Sequence, residues 1–364
     1  MSEDVEKPLI IAYYLPQFHP IKENDEWWGE GFTEWTNVRK AKPLFKGHDQ
    51  PRIPTELGYY DLRDPKIREE QVRLAKESGV GGFCYWHYWF NGKQLMNNII
   101  DEVASIGPDF PFCLGWANET WSKKMWDKDA SEEKVLIEQT YGGLKDCRNH
   151  YEYVSKLFRN HNYLRIDGKP FFLIYKPENL PDSQLYFDLW NKWVKQDGIA
   201  EEIFFVGSLE DESCLEKFLN NGFSCMTPAP NPRVLKCYQQ KNTIEKAINK
   251  IKRKYFHIPR IIDMQDANSF IINEDFDINE KIIPVLYPQW DHSPRSKGFV
   301  FVVVNSTPKV FQEQAVRLKK IIQRKYNKIV MLKSWNEWAE GNYMEPDKTN
   351  GKGFIEALGK VFNS

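Results

Sequence analysis

Hydrophobic positions along the chain gather into short unbroken runs separated by longer amphipathic stretches. The runs are Leu9–Tyr14, Gly81–Trp86, Phe112–Trp116, Phe171–Tyr175, Ile203–Gly207, Phe223–Met226, Lys281–Tyr287 and Lys328–Leu332. They are too short for helices and rich in β-branched and aromatic residues, so they read as buried strands. Residues 65–78, 94–105, 145–159, 183–196, 214–219 and 309–324 read as helices. Asp64 can cap the first of these, Pro65 suits its first turn and Gly79 stops it. In 183–196 the spacing of Leu185, Leu189, Trp190 and Trp193 turns both tryptophans toward the core. Two runs fit less well. The sixth, Phe223–Met226, is weak, and Pro284 removes a ladder donor from the seventh, which calls for an edge or bulge there. Phe299–Val304 is assigned to a loop or side element.

Strand-like runs alternating with helices predict an α/β fold, a (β/α)8 TIM barrel, as a single domain over residues 1–364 with loop insertions. Neither GxGxxG nor GxxxxGK[ST] follows the first run, which argues against a doubly wound nucleotide-binding sheet. The longest insertion, after the first run, is read as irregular. It carries Trp27, Trp28, Gly29, Gly31, Phe32, Glu34, Trp35 and Asn37, and loops of that length are usually functional.

Charge and composition narrow the function. A formal net charge of −1 argues against nucleic acid as a partner. The 13 tryptophans exceed what a core needs, and indole faces are a common platform for sugar rings. The six cysteines show no CxxC pair or metal-ligand spacing, so reduced thiols, no metal and no cofactor are expected. The amino terminus has no basic and hydrophobic leader pattern, and no apolar run approaches membrane-spanning length. A cytoplasmic protein without a transmembrane segment is the expectation.

The candidate chemistry sits where a barrel would place it. Just past the proposed strands come His19, His87, Asn118 with Glu119, Lys176, Asp291 with His292, and Glu337 with Glu340. Trp86, Trp116, Trp121, Trp290, Trp335 and Trp338 stand beside them, whereas the residues before the strands are short and plain. Catalytic residues in such barrels lie at the carboxyl ends of the strands. Glycoside cleavage needs one group to protonate the leaving oxygen and another to assist the anomeric carbon. Glu337 and Glu340 share a face if the chain turns helically between them, within roughly 5–9 Å, a range that spans retaining and inverting geometries. Their proximity should raise one pKa. Asn118 and Glu119 form a second acidic position, ranked as substrate-binding.

Linked motifs then carry a resemblance. Trp116-Ala117-Asn118-Glu119-Thr120-Trp121, Trp290-Asp291 with Pro294-Arg295, and Ser334-Trp335-Asn336-Glu337-Trp338-Ala339-Glu340-Gly341 resemble the WbsX-type glycosyltransferases. Tyr13–His19 and Gly31–Trp35 extend the match over nearly the whole chain. Such proteins occur in gene clusters for polysaccharide assembly and are similar to glycoside hydrolase family ninety-nine, (β/α)8 barrels acting as endo-α-mannosidases and α-mannanases. Glu337-Trp338-Ala339-Glu340-Gly341 resembles that family's Glu-Trp-His-Glu-Gly, with Ala339 in place of the His. The resemblance implies Glu337 as the base that deprotonates the sugar 2-hydroxyl and Glu340 as the general acid/base of a retaining reaction.

The resulting expectation is a carbohydrate-active enzyme, a retaining glycosidase or transglycosylase acting on a polysaccharide or lipid-linked glycan. Its catalytic residues are Glu337 and Glu340. Its substrate-binding residues are His19, Trp86, His87, Trp116, Asn118, Glu119, Trp121, Tyr175, Trp290, Asp291, Arg295, Trp335, Asn336 and Trp338. A glycosyltransferase of cell-surface polysaccharide biosynthesis is the alternative, and its metal-binding Asp-x-Asp could be Asp127-Lys128-Asp129 or Asp275-Phe276-Asp277. A non-catalytic carbohydrate-binding barrel is the third reading. Finally, Asn231–Arg260 holds nine Lys or Arg against Glu245 alone, with an amphipathic helix over 243–255, a candidate for peripheral contact with a membrane or anionic glycan.

Overall fold

In the computed structural model the described residues are 7–123, 134–240, 243–256, 258–296 and 301–363. Eight parallel strands form the central sheet: β1 (Leu9–Tyr14), β2 (Gly82–Phe90), β3 (Phe112–Trp116), β4 (Lys169–Ile174), β5 (Phe204–Leu209), β6 (Cys225–Pro228), β7 (Val285–Leu286) and β8 (Ile329–Leu332). Their spatial order is β6-β5-β4-β3-β2-β1-β8-β7. The two ends meet through a short ladder: Met226 N–H donates to Lys281 O and Ile283 N–H to Met226 O, both at 2.8 Å. The sheet is therefore a nearly closed (β/α)8 barrel. Its strands are mostly apolar because they are covered on both faces, by the barrel interior and by the outer helices. Ile11, Cys84, Cys113, Leu173, Val206, Met226 and Val330 are all buried in it.

Pro284 explains the weakness of the seventh run. Residues before it pair toward β6, while Pro284 O accepts from Met331 N–H at 2.9 Å and Val285–Leu286 pair with β8. Lacking an N–H, Pro284 divides the run into two halves that serve different neighbours, and the regular strand shrinks to Val285–Leu286.

The first outer helix, Pro65–Ser78, has the expected ends: Asp64 accepts from Lys66 N–H at 3.0 Å, and Gly79 adopts φ +85°. The helix expected over 94–105 begins later, at Asn97, because Lys93–Leu95 folds back as an antiparallel strand on the extension of β2. The stretch read as irregular holds two short helices, Lys22–Trp28 and Glu34–Lys40. A carboxy-terminal helix absent from the sequence reading, Gly353–Phe362, packs on Pro65–Ser78 and Pro308–Gln323. Between β6 and β7 the chain makes helices Pro230–Gln239, Thr243–Phe256 and Met264–Ile271. Arg260–Asp263 there pairs in parallel with Phe301–Val304, so the side element is a strand. Among the described residues no helix is long and apolar enough to cross a membrane.

Candidate active site

At the carboxyl end of the barrel a cleft of about 480 Å³ opens among Trp86, Tyr88, Glu119, Trp121, Tyr175, Trp290, Arg295, Lys333, Glu337 and Glu340. Strand β2 shows how side chains are admitted to it. The strand runs past its expected end at Trp86 to Phe90, and its alternation continues. Trp86 and Tyr88 face the cleft. His87 and Trp89 point outward, where His87 Nε2 lies 2.9 Å from His150 Nε2 and Trp89 Nε1–H donates to Asp146 at 2.9 Å. Burial among these rings lowers the His87 pKa to about 3, so it is neutral. Trp116 pairs with His87 in register and faces outward with it, donating to Trp89 O at 3.1 Å.

The acidic pair follows β8. After Asn336–Glu337 the chain makes a single 3-10 turn, Trp338–Glu340, which brings both carboxylates to the cleft. Gly341 ends the turn at φ +55°, and a Cβ there would lie 2.8 Å from Asp291 N. Gly341→Ala is therefore expected to lower stability by about 1–3 kcal/mol and to displace Glu340. Denaturant unfolding and turnover, measured on the same variant, check both effects.

The two glutamates sit in different surroundings. Glu337 Oε1 accepts from Trp86 Nε1–H at 2.6 Å, and Oε2 has no hydrogen-bond donor, with Lys333 Nζ 3.8 Å away. Burial raises the Glu337 pKa, Lys333 opposes the rise, and the Glu340 charge adds to it. Glu340 is partly exposed and is held by Arg295 at 2.8 Å. The same guanidinium reaches Glu34 Oε1 at 2.5 Å, on the short helix Glu34–Lys40. Burial raises Glu34 despite that ion pair. A third carboxyl, Glu119, also lines the cleft, and burial pushes it up to about 7, with Lys176 opposing and Glu340 adding to the shift.

Beneath the turn lies a further acid. Glu345 accepts from Gln71 at 2.6 Å, Trp338 at 2.6 Å and Tyr60 at 3.0 Å, and burial pushes its carboxyl up to about 7. A raised folded-state pKa means that folding takes up a proton. Its contribution is complete below the unfolded value near 4.5 and is lost as pH rises through about 7. Relative to Glu345→Gln, the wild type should lose on the order of 3 kcal/mol between those values. Chemical denaturation across that pH range checks the difference.

Of the residues expected at the site, Trp86, Glu119, Trp121, Tyr175, Trp290, Arg295, Glu337 and Glu340 line the cleft. His19, His87, Trp116, Asn118, Asp291, Trp335, Asn336 and Trp338 do not line it. His19 Nε2 lies 3.2 Å from Asn98 Oδ1. Asn118 ties β3 to β4 by exchanging hydrogen bonds with the Lys176 backbone, both at 2.8 Å. Asn336 does the same for Leu15, at 2.7 and 3.0 Å. Burial alone would raise Asp291, but bonds from His48 at 2.8 Å and Gln50 at 2.6 Å, with the Arg52 charge, hold it well below the usual range. Trp335 packs on Phe83, and Trp338 stacks on Tyr343 with ring centroids 3.8 Å apart.

A family model for glycosyltransferase WbsX matches residues 10–358. The chain belongs to the WbsX glycosyltransferase family. Two curated relatives, both called uncharacterized protein WxcX and from two strains of Xanthomonas campestris pv. campestris, are 33% identical over 356 residues. The alignment spans 96% of this chain and 48% of each relative, so the chain spans about half their length. Among solved structures, a glycoside hydrolase-like protein superposes with TM-score 0.61 at 15% identity, over 98% of this chain and 94% of its own. The GH99 endo-α-mannosidase from Bacteroides thetaiotaomicron superposes with TM-score 0.53 at 16% identity, over 97% and 96%. These structures share the barrel fold with this chain.

In this WbsX barrel several residues at or beside the cleft were not among the site residues expected from the sequence, Lys333, Tyr88 and Glu34 among them. Lys333 stands beside Glu337 and over the faces of Tyr13, Trp86 and Tyr175, 5.8–6.0 Å from their ring centroids. Tyr88 was hidden by the assumed strand end, and Glu34 by the assumption of an irregular loop. The position of Lys333 directly after β8 was the available signal. Asp277 of the second Asp-x-Asp is buried against Arg233 and not at the cleft, while Asp127-Lys128-Asp129 lies outside the described residues, as does Lys241 of the basic segment. Among the described residues no group of His, Cys, Asp or Glu is placed to hold a metal ion.

Proposed function

We propose that this cleft cleaves a glycosidic bond with retention and passes the glycosyl unit to water or to a sugar hydroxyl, on a polysaccharide or lipid-linked glycan. The observation that carries the proposal is that Glu337 and Glu340 open together into one aromatic-lined cleft at the carboxyl end of the barrel. The likeness to the GH99 endo-α-mannosidase supports the choice of glycan as substrate. In the roles implied by the family motif, Glu337 takes the proton of the sugar 2-hydroxyl as its oxygen closes on the anomeric carbon. Glu340 protonates the departing glycosidic oxygen. An acceptor hydroxyl, deprotonated by Glu340, then opens the three-membered ring at the anomeric carbon, and Glu337 returns its proton to the 2-oxygen. Burial makes Glu337 a stronger base than an exposed carboxylate, which suits a proton taken from an alcohol.

A second reading exchanges the acid. Glu119, pushed up to about 7 and lining the same cleft, keeps a protonated fraction at neutral pH that an ordinary carboxyl lacks, whereas Glu340 is held by Arg295. Incubation of wild type and Glu340→Gln with a panel of oligosaccharides and nucleotide sugars tests the proposal. Glycan cleavage or transfer that disappears in Glu340→Gln supports it. Metal-dependent release of a nucleoside diphosphate overturns it in favour of a nucleotide-sugar transferase. Glycan binding without turnover, unchanged in the variant, overturns it in favour of a binding module.

A further inference from the structure

Helix Thr243–Phe256 is not part of the barrel wall, and none of its residues is buried. At about 100° per residue, Ile244, Ile248, Ile251 and Tyr255 fall within a stripe about 60° wide. That stripe faces solvent: Ile244 is 72% exposed, Ile248 46%, Ile251 53% and Tyr255 65%. Other large apolar side chains such as Ile106, Leu144 and Tyr326 are also exposed, but four aligned on one face of one helix make a continuous apolar stripe, which calls for a partner.

Charge identifies the partner. Lys246, Lys250 and Arg253 occupy the face opposite the stripe, and Lys252 and Lys254 flank it on either side, against a single acid, Glu245. The chain as a whole carries a net charge of −1, so this cationic surplus is local. Flanking lysines can extend their ammonium groups to lipid phosphates while their stems cover acyl chains. A second copy of the helix docked on the stripe would instead bring the flanking lysines of both copies together. In the chain the helix lies between elements that line the cleft. The helix before it contributes Asn231 and Leu235 to the lining, and the strand after it contributes Arg260. Arg233, counted with the basic segment in the sequence, is not available to a partner: it is buried on Glu212 and Asp277.

We infer that Thr243–Phe256 docks in the interface of an anionic membrane and presents the cleft to a glycan carried on that surface. This rests on the glycan-cleaving reading for the identity of the substrate, but not for the docking itself.

The test is co-sedimentation of the full chain with vesicles of phosphatidylcholine alone or mixed with phosphatidylglycerol. The expected result is at least about tenfold greater partition onto the anionic vesicles, falling as salt is raised. Ile248→Asp/Ile251→Asp should abolish that binding, and Lys252→Glu/Lys254→Glu should weaken it. Because the helix lies outside the core, circular dichroism of both variants should match wild type. Their turnover of soluble glycan fragments should also be unchanged. Equal partition onto both vesicle types, or wild-type binding by the Asp variant, overturns the inference. So does a dimer in vesicle-free solution that the Asp variant dissociates, which would show that a second copy covers the stripe. If wild type cleaves no glycan yet binds anionic vesicles through this helix, the activity reading fails and the docking stands.

Discussion

Glu340→Gln is expected to lose about 10²–10⁴-fold in turnover of a natural glycan while melting like the wild type. Glutamine keeps the shape and can still meet Arg295, but it cannot exchange the proton. The loss should depend on the substrate. A glycoside whose leaving group departs as a stable anion needs no protonation, so Glu340→Gln should recover much of its first step there. Glu337→Gln should not recover, because the 2-hydroxyl proton must be removed whatever the leaving group. Measured turnover of both variants on a natural oligosaccharide and on an activated aryl glycoside separates the roles. If Glu119→Gln shows the recovery and Glu340→Gln does not, the acid is Glu119. In that case the limb of the pH profile near 7, set by the Glu119 carboxyl, should vanish in Glu119→Gln. Raising pH through that value removes the proton a general acid must donate, so turnover falls on the alkaline side.

Arg233→Met should destabilise the protein by about 3–5 kcal/mol, because it breaks a buried ion pair by removing one partner. Arg233 is buried between Glu212, at 2.6 Å, and the fully buried Asp277, at 2.8 Å, and also donates to Ile271 O at 2.7 Å. Burial already raises Asp277 against the pull of the guanidinium, and without it the carboxylate would be an uncompensated interior charge. The penalty should therefore shrink as pH falls and Asp277 takes up a proton, and Arg233→Met/Asp277→Asn should recover part of it at neutral pH. Urea unfolding of the single and double variants at two pH values checks the magnitude and the sign. An Arg233→Met chain as stable as wild type would mean that this ion pair is not what anchors the Pro230–Gln239 helix.

The same ion pair shows where reading by composition fails. Nine cations between residues 231 and 260 read as one basic surface, but Arg233 faces inward and neutralises acids from two other elements. Sequence periodicity could separate the two uses only for the helix from Thr243, whose spacing is regular.

The barrel and the acidic pair were legible in the chain before folding was considered. Strand runs, helix ends such as Asp64 and Gly79, and the spacing of Glu337 and Glu340 are set by interactions between neighbours in the chain, which leave periodic traces. Which side chains at the strand ends belong to the cleft was fixed by long-range packing. Side chains alternate along a strand, so the outcome for Trp86 and His87 depended on how far β2 continues, and that depended on its pairing with β3 and with Lys93–Leu95. Trp335 and Trp338, the tryptophans nearest the acids in sequence, went to the core, while Trp86 supplied the hydrogen bond to Glu337 from 251 residues away. Arg295 joins Glu340 to Glu34 across 261 residues. Contacts at that separation leave no local pattern, because burial and charge pairing are satisfied by whichever element the fold brings alongside.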